Sequence, residues 1–295
     1  MEQAAKPAVA ILMPGDMGHG VGQALIERGH PVVTALAGRS AHTRGLAEKA
    51  GIRDAGTLAD AVAAADVVLS ILPPDRAVPQ AEAAAKAMAE TGASPAYVDC
   101  NAISPMTAAK VAEALAPARC PVIDCGIIGL NPLKAPPTRF YVSGPDCGAM
   151  TALDSDAIRV EVMGDKMGDA SALKMVYAAL TKGSWTLQTA LLMTAMRLGV
   201  LDPLLKEFDY SQAGPVQAMR ARTPFLPADA ARWVPEMEEI AATFASAGVT
   251  PDFHNGAAEV FRVLARTPFA AETRETLDQS RTLEDALAEY VKHLR

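Results

Sequence analysis

The chain reads as an α/β protein. We expect a Rossmann-type doubly wound parallel sheet, then a long interdomain helix and an all-helical C-terminal domain. Three observations predict this. The first half alternates short apolar runs with Ala-rich helical stretches. The turn Gly15-Asp16-Met17-Gly18 joins the first apolar run to the first helical stretch. After residue 170 the alternation stops and helical patterns alone continue.

Taken in order, the apolar runs at residues 9–13, 31–36, 66–72, 95–100, 121–125, 139–143 and 159–163 read as strands. Helical stretches lie between them, at 41–50, 58–65 and 76–90 among others. Short apolar strands alternating with helices imply a parallel sheet covered on both faces. Residues 170–200 hold no strong breaker except Gly183 and suit a largely buried helix of about 45 Å. Further helical patterns cover 216–221, 228–247, 256–265 and 282–294, punctuated by Pro203, Pro215, Pro224, Pro227, Gly248 and Pro268. The expected domains are 1–165, binding a dinucleotide, and 166–295, the long helix with the all-α domain.

Composition narrows the classes. At 295 residues, half of them hydrophobic and 21% charged, the chain is a packed globular protein of about two domains. A net charge of −7 with no overriding basic cluster argues against a nucleic-acid surface. The longest apolar segment, near 187–196, is too short to span a bilayer, so no membrane partner is expected. Pro14, Gly15 and Asp16 interrupt the first apolar stretch, which therefore does not read as a signal peptide. Four cysteines form no Cys-x-x-Cys pair and suit reduced thiols in a cytoplasmic protein. The five histidines lack ligand spacing, so no metal site is expected.

The Gly-rich turn carries the chemistry. A strand, tight turn and helix start aim backbone N–H groups at one point, where a pyrophosphate can sit. Against the pattern G-x-G-x-x-G, ending at Gly18 places Met13, Gly15 and Gly18 on the three glycine positions. Ending at Gly20 gives Gly15, Met17 and Gly20. The first register is preferred, because it keeps the glycines needed for close ligand approach and for helix–strand packing. About twenty residues on, where an NAD site carries an acid, stand Leu36 and Ala37, followed by Arg39, Ser40 and Arg44. Two guanidiniums and a hydroxyl in place of a carboxylate suit a 2′-phosphate, so NADP is favoured over NAD.

The turn, followed by Leu25 and Gly29-His30, resembles the N-terminus of the β-hydroxyacid dehydrogenases. These include 3-hydroxyisobutyrate dehydrogenase, tartronate semialdehyde reductase and 6-phosphogluconate dehydrogenase. Val67 through Pro73 is similar to the family strand and loop that pass the cofactor. Val98-Asp99-Cys100-Asn101-Ala102-Ile103-Ser104-Pro105 resembles its D-x-S-T-x-S-P segment. Gly164 through Lys174 resembles the approach to its catalytic lysine. The likeness covers about the first 200 residues and is closest to a phosphogluconate-dehydrogenase-like branch with its own helical C-terminal domain.

The resemblance implies that Lys174 is the proton acceptor or donor in hydride transfer. Burial in an apolar helix lowers a lysine's pKa toward such work. It implies that Leu72 and Pro73 shape the cofactor loop, and that Asn101 and Ser104 line the nicotinamide end. It also implies a homodimer or larger homo-oligomer. Two departures fall on the substrate side. The asparagine expected one turn after the lysine is Ala178, with the Tyr177 phenol as a stand-in. The family's D-x-P-V-S-G-G segment reads Asp124-Cys125-Gly126-Ile127-Ile128-Gly129-Leu130, so Ile128 replaces the serine that would hold a substrate carboxylate.

Trp233 and Met237 share a helix face and are candidate substrate contacts, while His254 reads as a surface or capping residue. A carbonyl or alcohol is the expected substrate. The imine reductases replace the lysine, so they form the alternative, together with a non-catalytic NADP-binding sensor or scaffold.

Overall fold

The protein is described by a computed structural model over residues 5–134 and 136–294. It divides into two compact units, Met1–Met175 and Val176–Arg295.

In the first unit eight strands form one sheet among the described residues. They are β1 (Val9–Leu12), β2 (Val32–Thr34), β3 (Arg53–Asp54), β4 (Val67–Ser70), β5 (Ala96–Asp99), β6 (Val122–Ile128), β7 (Thr138–Ser143) and β8 (Ile158–Gly164). Their spatial order is β3-β2-β1-β4-β5-β6-β7-β8. The helices are α1 (Asp16–Glu27), α2 (Ala41–Lys49), α3 (Leu58–Ala63), α4 (Ala77–Thr91), α5 (Pro105–Leu115) and the single turn α6 (Gly148–Thr151). α7 (Asp169–Arg197) begins in this unit and continues into the next.

The central strands β1, β4 and β5 are buried along their whole length because both faces of the sheet are covered there. Val9 and Ile11 join one core with Val21, Ala24 and Leu25 of α1. Ala10 and Leu12 point the other way, into a second core with α3, α4 and α5. Side-chain caps set several helix starts. Ser40 accepts from the Thr43 N–H, Ser104 from Thr107, and Thr57 forms a reciprocal capping box with Asp60.

The sheet departs from the expected all-parallel form at one place. β7 runs antiparallel to β6, with Asp124 opposite Ser143 and Ile128 opposite Arg139. Only residues 129–137 join the two strands, too few for the crossover that a parallel pair needs. The two-residue β3 also escaped the sequence pattern, because so short an edge strand shows no periodicity.

The second unit contains α8 (Leu201–Ser211), α9 (Ala213–Arg222), α10 (Pro227–Ser246), α11 (Asp252–Leu264) and α12 (Leu283–Tyr290), with 3-10 turns and no strand among the described residues. α8 was not expected, since Pro203 read as a breaker. It lies in the helix's first turn, where the missing N–H forfeits no hydrogen bond. Pro215 and Pro227 occupy the first turns of α9 and α10 in the same way. α10 packs on α11, and the core includes Met237, Ile240, Phe261, Leu264, Leu287 and Tyr290. The buried Tyr290 hydroxyl donates to the Thr223 carbonyl at 2.8 Å. Among the described residues no helix is long and apolar enough to cross a membrane.

Candidate dinucleotide and catalytic site

β1, β2, β4, β5 and β6 are mutually parallel, so their carboxyl ends share one edge of the sheet. Strand order reverses between β1 and β4, the point where such sheets bind ligands. Gly15 to Gly18 follow β1 at this point, and Leu72 and Pro73 follow β4.

Met13, on the first glycine position, adopts φ of 69°, the left-handed conformation a glycine would supply. A Cβ on Gly18 would lie 2.8 Å from the Met13 carbonyl oxygen and 3.2 Å from the Ile11 side chain. Gly18 is thus the glycine that lets α1 pack on β1. A Cβ on Gly15 would meet nothing nearer than the end of Met13, at 4.0 Å. Gly15 also caps α1 without a side-chain hydrogen bond, leaving the helix N-terminus clear for a pyrophosphate. Asn131, which no local motif singled out, braces the turn from the β6–β7 loop. Its amide nitrogen donates to the Asp16 carbonyl at 2.6 Å, and a Cβ on Gly20 would collide with its side chain.

The loop after β2 carries no acid between residues 35 and 40. The Arg39 side chain forms no hydrogen bond or ion pair with any described residue. Arg44 is partly committed: its Nε donates to the Arg39 carbonyl at 3.2 Å and its Nη2 to the Leu36 carbonyl at 2.6 Å. Ser40 is the α2 cap. On this loop Arg39 carries the donors left over.

Asn101 is buried and its amide is spent internally. Its oxygen accepts from the Leu72 N–H at 2.5 Å, and its nitrogen donates to Asp99 at 2.9 Å and to Ser70 at 3.2 Å. Asn101 therefore fixes the loop beside the cofactor turn. Burial pushes the Asp99 carboxyl up to about 7, against the opposing hydrogen bonds from Asn101. Ser104 is likewise buried, as the cap of α5.

Lys174 sits in the second turn of α7. β6 runs four positions past the pairing of Asp99 with Asp124, and Gly126, two positions past it, lies at the carboxyl edge. There Gly126 lies against α7: a Cβ on it would stand 2.8 Å from the Ala170 carbonyl oxygen and 2.9 Å from the Lys174 Cβ. Ile127 is buried beside it and Ile128 is partly buried at the strand end. Asp124 anchors the start of α7. It accepts from the Ser171 N–H at 2.9 Å, the Ser171 hydroxyl at 2.5 Å and the Ser143 hydroxyl at 3.1 Å. Burial raises its pKa. The Asp124–Ser171 contact spans 47 residues, so no local spacing could have signalled it.

Tyr177, Trp233 and Met237 belong to the second unit. Tyr177 is exposed. Trp233 and Met237 are buried, with Trp233 packed between Trp185 and Phe261 at centroid distances of 5.4 and 5.2 Å. His254 is buried rather than exposed. Its ring packs edge-on to Phe244, its Nδ1 lacks a partner, and burial lowers its pKa. Sequence reasoning also missed a buried ion pair, Lys182 with Glu236 at 2.8 Å.

The fold, the turn and the lysine can now be set beside known proteins. Residues 9–147 match the family described as the NAD-binding domain of 6-phosphogluconate dehydrogenase. The N-terminal unit is thus similar to the dinucleotide-binding domains of that family. Residues 195–264 match a second family, described as a domain of unknown function, DUF1932. An uncharacterised 28.5 kDa protein of Methanothermus fervidus is 30% identical over 175 residues, covering 59% of this chain and 66% of that relative's length.

Among solved structures, a conserved protein of unknown function, described as structurally similar to 3-hydroxyacid dehydrogenases, is 28% identical with a TM-score of 0.63. That match covers 87% of this chain and 96% of the other. A Mycobacterium tuberculosis 3-hydroxyisobutyrate dehydrogenase solved with L-serine shares the fold. It has a TM-score of 0.64 at 19% identity, covering 96% and 98% of the two chains.

Proposed function

We propose that this protein is an NADP-dependent oxidoreductase that moves hydride between the nicotinamide and a carbonyl or hydroxyl carbon of a small molecule. One observation carries the reading. The dinucleotide turn after β1 and Lys174 beside β6 share one edge of one sheet, within one unit. β1 and β6 are three strand spacings apart, about 14 Å at ~4.8 Å each. That span suits a dinucleotide laid from the turn toward the lysine.

When bound, the nicotinamide supplies or receives the hydride. In oxidation, the substrate's hydroxyl proton passes to the Nζ of neutral Lys174 as the C–H hydride leaves. In reduction, the protonated Nζ returns that proton to the substrate oxygen. Asn101 and Leu72 hold the cofactor loop in place, and Gly126 lets the lysine's helix approach the edge. Arg39, with no acidic neighbour on its loop, supports NADP over NAD.

Titration with NADPH and NADH, followed by fluorescence, tests the cofactor. Arg39→Ala is expected to weaken NADPH binding about tenfold, or ~1.4 kcal/mol, and to leave NADH binding unchanged. Equal losses for both would refute the 2′-phosphate role. A panel of aldehydes, ketones and imines, read by NADPH absorbance, tests the reaction. Turnover of a carbonyl supports the proposal; tight NADPH binding with no turnover on any of them contradicts it.

A further inference from the structure

The second unit holds a group of side chains that the hydride-transfer site does not use. Trp185 of α7 and Trp233 of α10 are the chain's two tryptophans, with ring centroids 5.4 Å apart. At the end of α9, the Arg222 guanidinium lies over the Trp185 ring, its Cζ 4.1 Å from the centroid. That stacking fixes the plane of the guanidinium. Arg222 is exposed and makes no hydrogen bond or salt bridge with any described residue, so the edge of its guanidinium is open to solvent and to a ligand.

The surrounding charges do not supply an acceptor. Partial burial lowers the Arg222 pKa, Asp229 opposes that shift, and Arg274 adds to it, which places both within Coulombic reach. Asp229 is already shared: it takes Arg232 Nε at 2.9 Å and Arg274 Nη2 at 3.6 Å. The neighbouring Glu236 is occupied by Lys182. Arg232 and Arg274 both pair with Asp229, and Arg222 lies within Coulombic reach of Asp229 and Arg274, on a chain whose net charge is −7. A local positive field on an acidic protein attracts and holds anions.

We propose that Arg222, stacked on Trp185, is a binding site for the oxyanion of a small molecule, either a carboxylate or a phosphoryl group. A planar guanidinium with free edge donors takes such groups in bidentate fashion. The anion binding does not depend on the proposed oxidoreductase reading.

Because both tryptophans lie in the site, intrinsic fluorescence reports on it directly. The full-length protein is titrated with malonate and, separately, with inorganic phosphate, at constant ionic strength and low chloride. We expect a saturable change in tryptophan emission with at least one of them; which one tells a carboxylate site from a phosphoryl site. Arg222→Gln is expected to weaken that binding at least tenfold. Arg222→Lys, which keeps the charge but loses the planar fork, should weaken it less. Arg220→Gln is the control, two residues along and already paired with Asp209 and Glu284, and should bind like wild type. No saturable change with either anion, or equal binding by wild type and both Arg222 variants, overturns the site.

Anion binding in a protein without turnover would sink the oxidoreductase reading and leave the site standing.

Discussion

Met13 shows how one residue can fill another's place. The dinucleotide pattern calls for glycine there, and the sequence has methionine. The backbone still takes the left-handed conformation, at a cost of roughly 1–2 kcal/mol for a residue with a Cβ. A missing glycine in a motif therefore did not mean a missing turn. Asp99 is the second residue whose surroundings matter. Its carboxyl is buried, with Asn101 donating to both oxygens. Its folded pKa, about 7, lies above the unfolded value near 3.8, so the native state keeps its proton to higher pH. Stability must then fall as pH rises from about 4 to about 7, with a slope of at most ~1.4 kcal/mol per pH unit from this group. Asp124, also raised by burial, acts with the same sign. Thermal melts across that window should show a flatter pH dependence for Asp99→Asn than for wild type. An unchanged slope would remove Asp99 from the account.

At the scale of elements, the junction of β6 and α7 builds the side of the proposed site that carries Lys174. Asp124 caps the helix, Gly126 permits contact, and Lys174 follows one turn later. Gly126→Ala drives a Cβ to 2.8 Å from a helix carbonyl, so the helix must move away. We expect a loss of about 1–3 kcal/mol in a denaturant titration, typical of overpacking. Unchanged stability would mean that the strand and helix are not in close contact. This junction also marks what the sequence revealed. Gly126 and Lys174 each lie in a contiguous motif, and the structure sets them side by side. Asp124's bond to Ser171 and Asn131's brace on the turn were not legible, since both depend on residues brought together by the sheet. Strand positions were legible from apolar runs, but β7's direction was not, because an apolar run carries no polarity. The first-turn prolines of α8, α9 and α10 read as breaks for a related reason: a proline looks the same in a turn and at a helix start.

For the whole molecule, the exposed apolar side chains on α7 of the second unit call for a partner. Leu180 and Leu187 are 74% and 68% exposed, and Val176 and Phe253 are exposed near them in the chain or along α11. A groove of about 490 Å³ runs between α7 and α11, lined by Leu180, Leu187, Phe253 and Val260 among others. Apolar surface of this kind marks interfaces. We propose a homodimer built on this face. Light scattering should give twice the 30.8 kDa chain mass, and Leu180→Arg with Leu187→Arg should return the monomer. A wild-type monomer would contradict the interface.

The central claim is that Lys174 moves the proton while hydride passes to or from NADP. Its most direct measurement is single-variant kinetics on Lys174→Ala, with NADPH affinity read in the same preparation. The account predicts that turnover falls by a hundredfold or more, while NADPH binding stays within about twofold of wild type. Wild-type turnover in Lys174→Ala would contradict it.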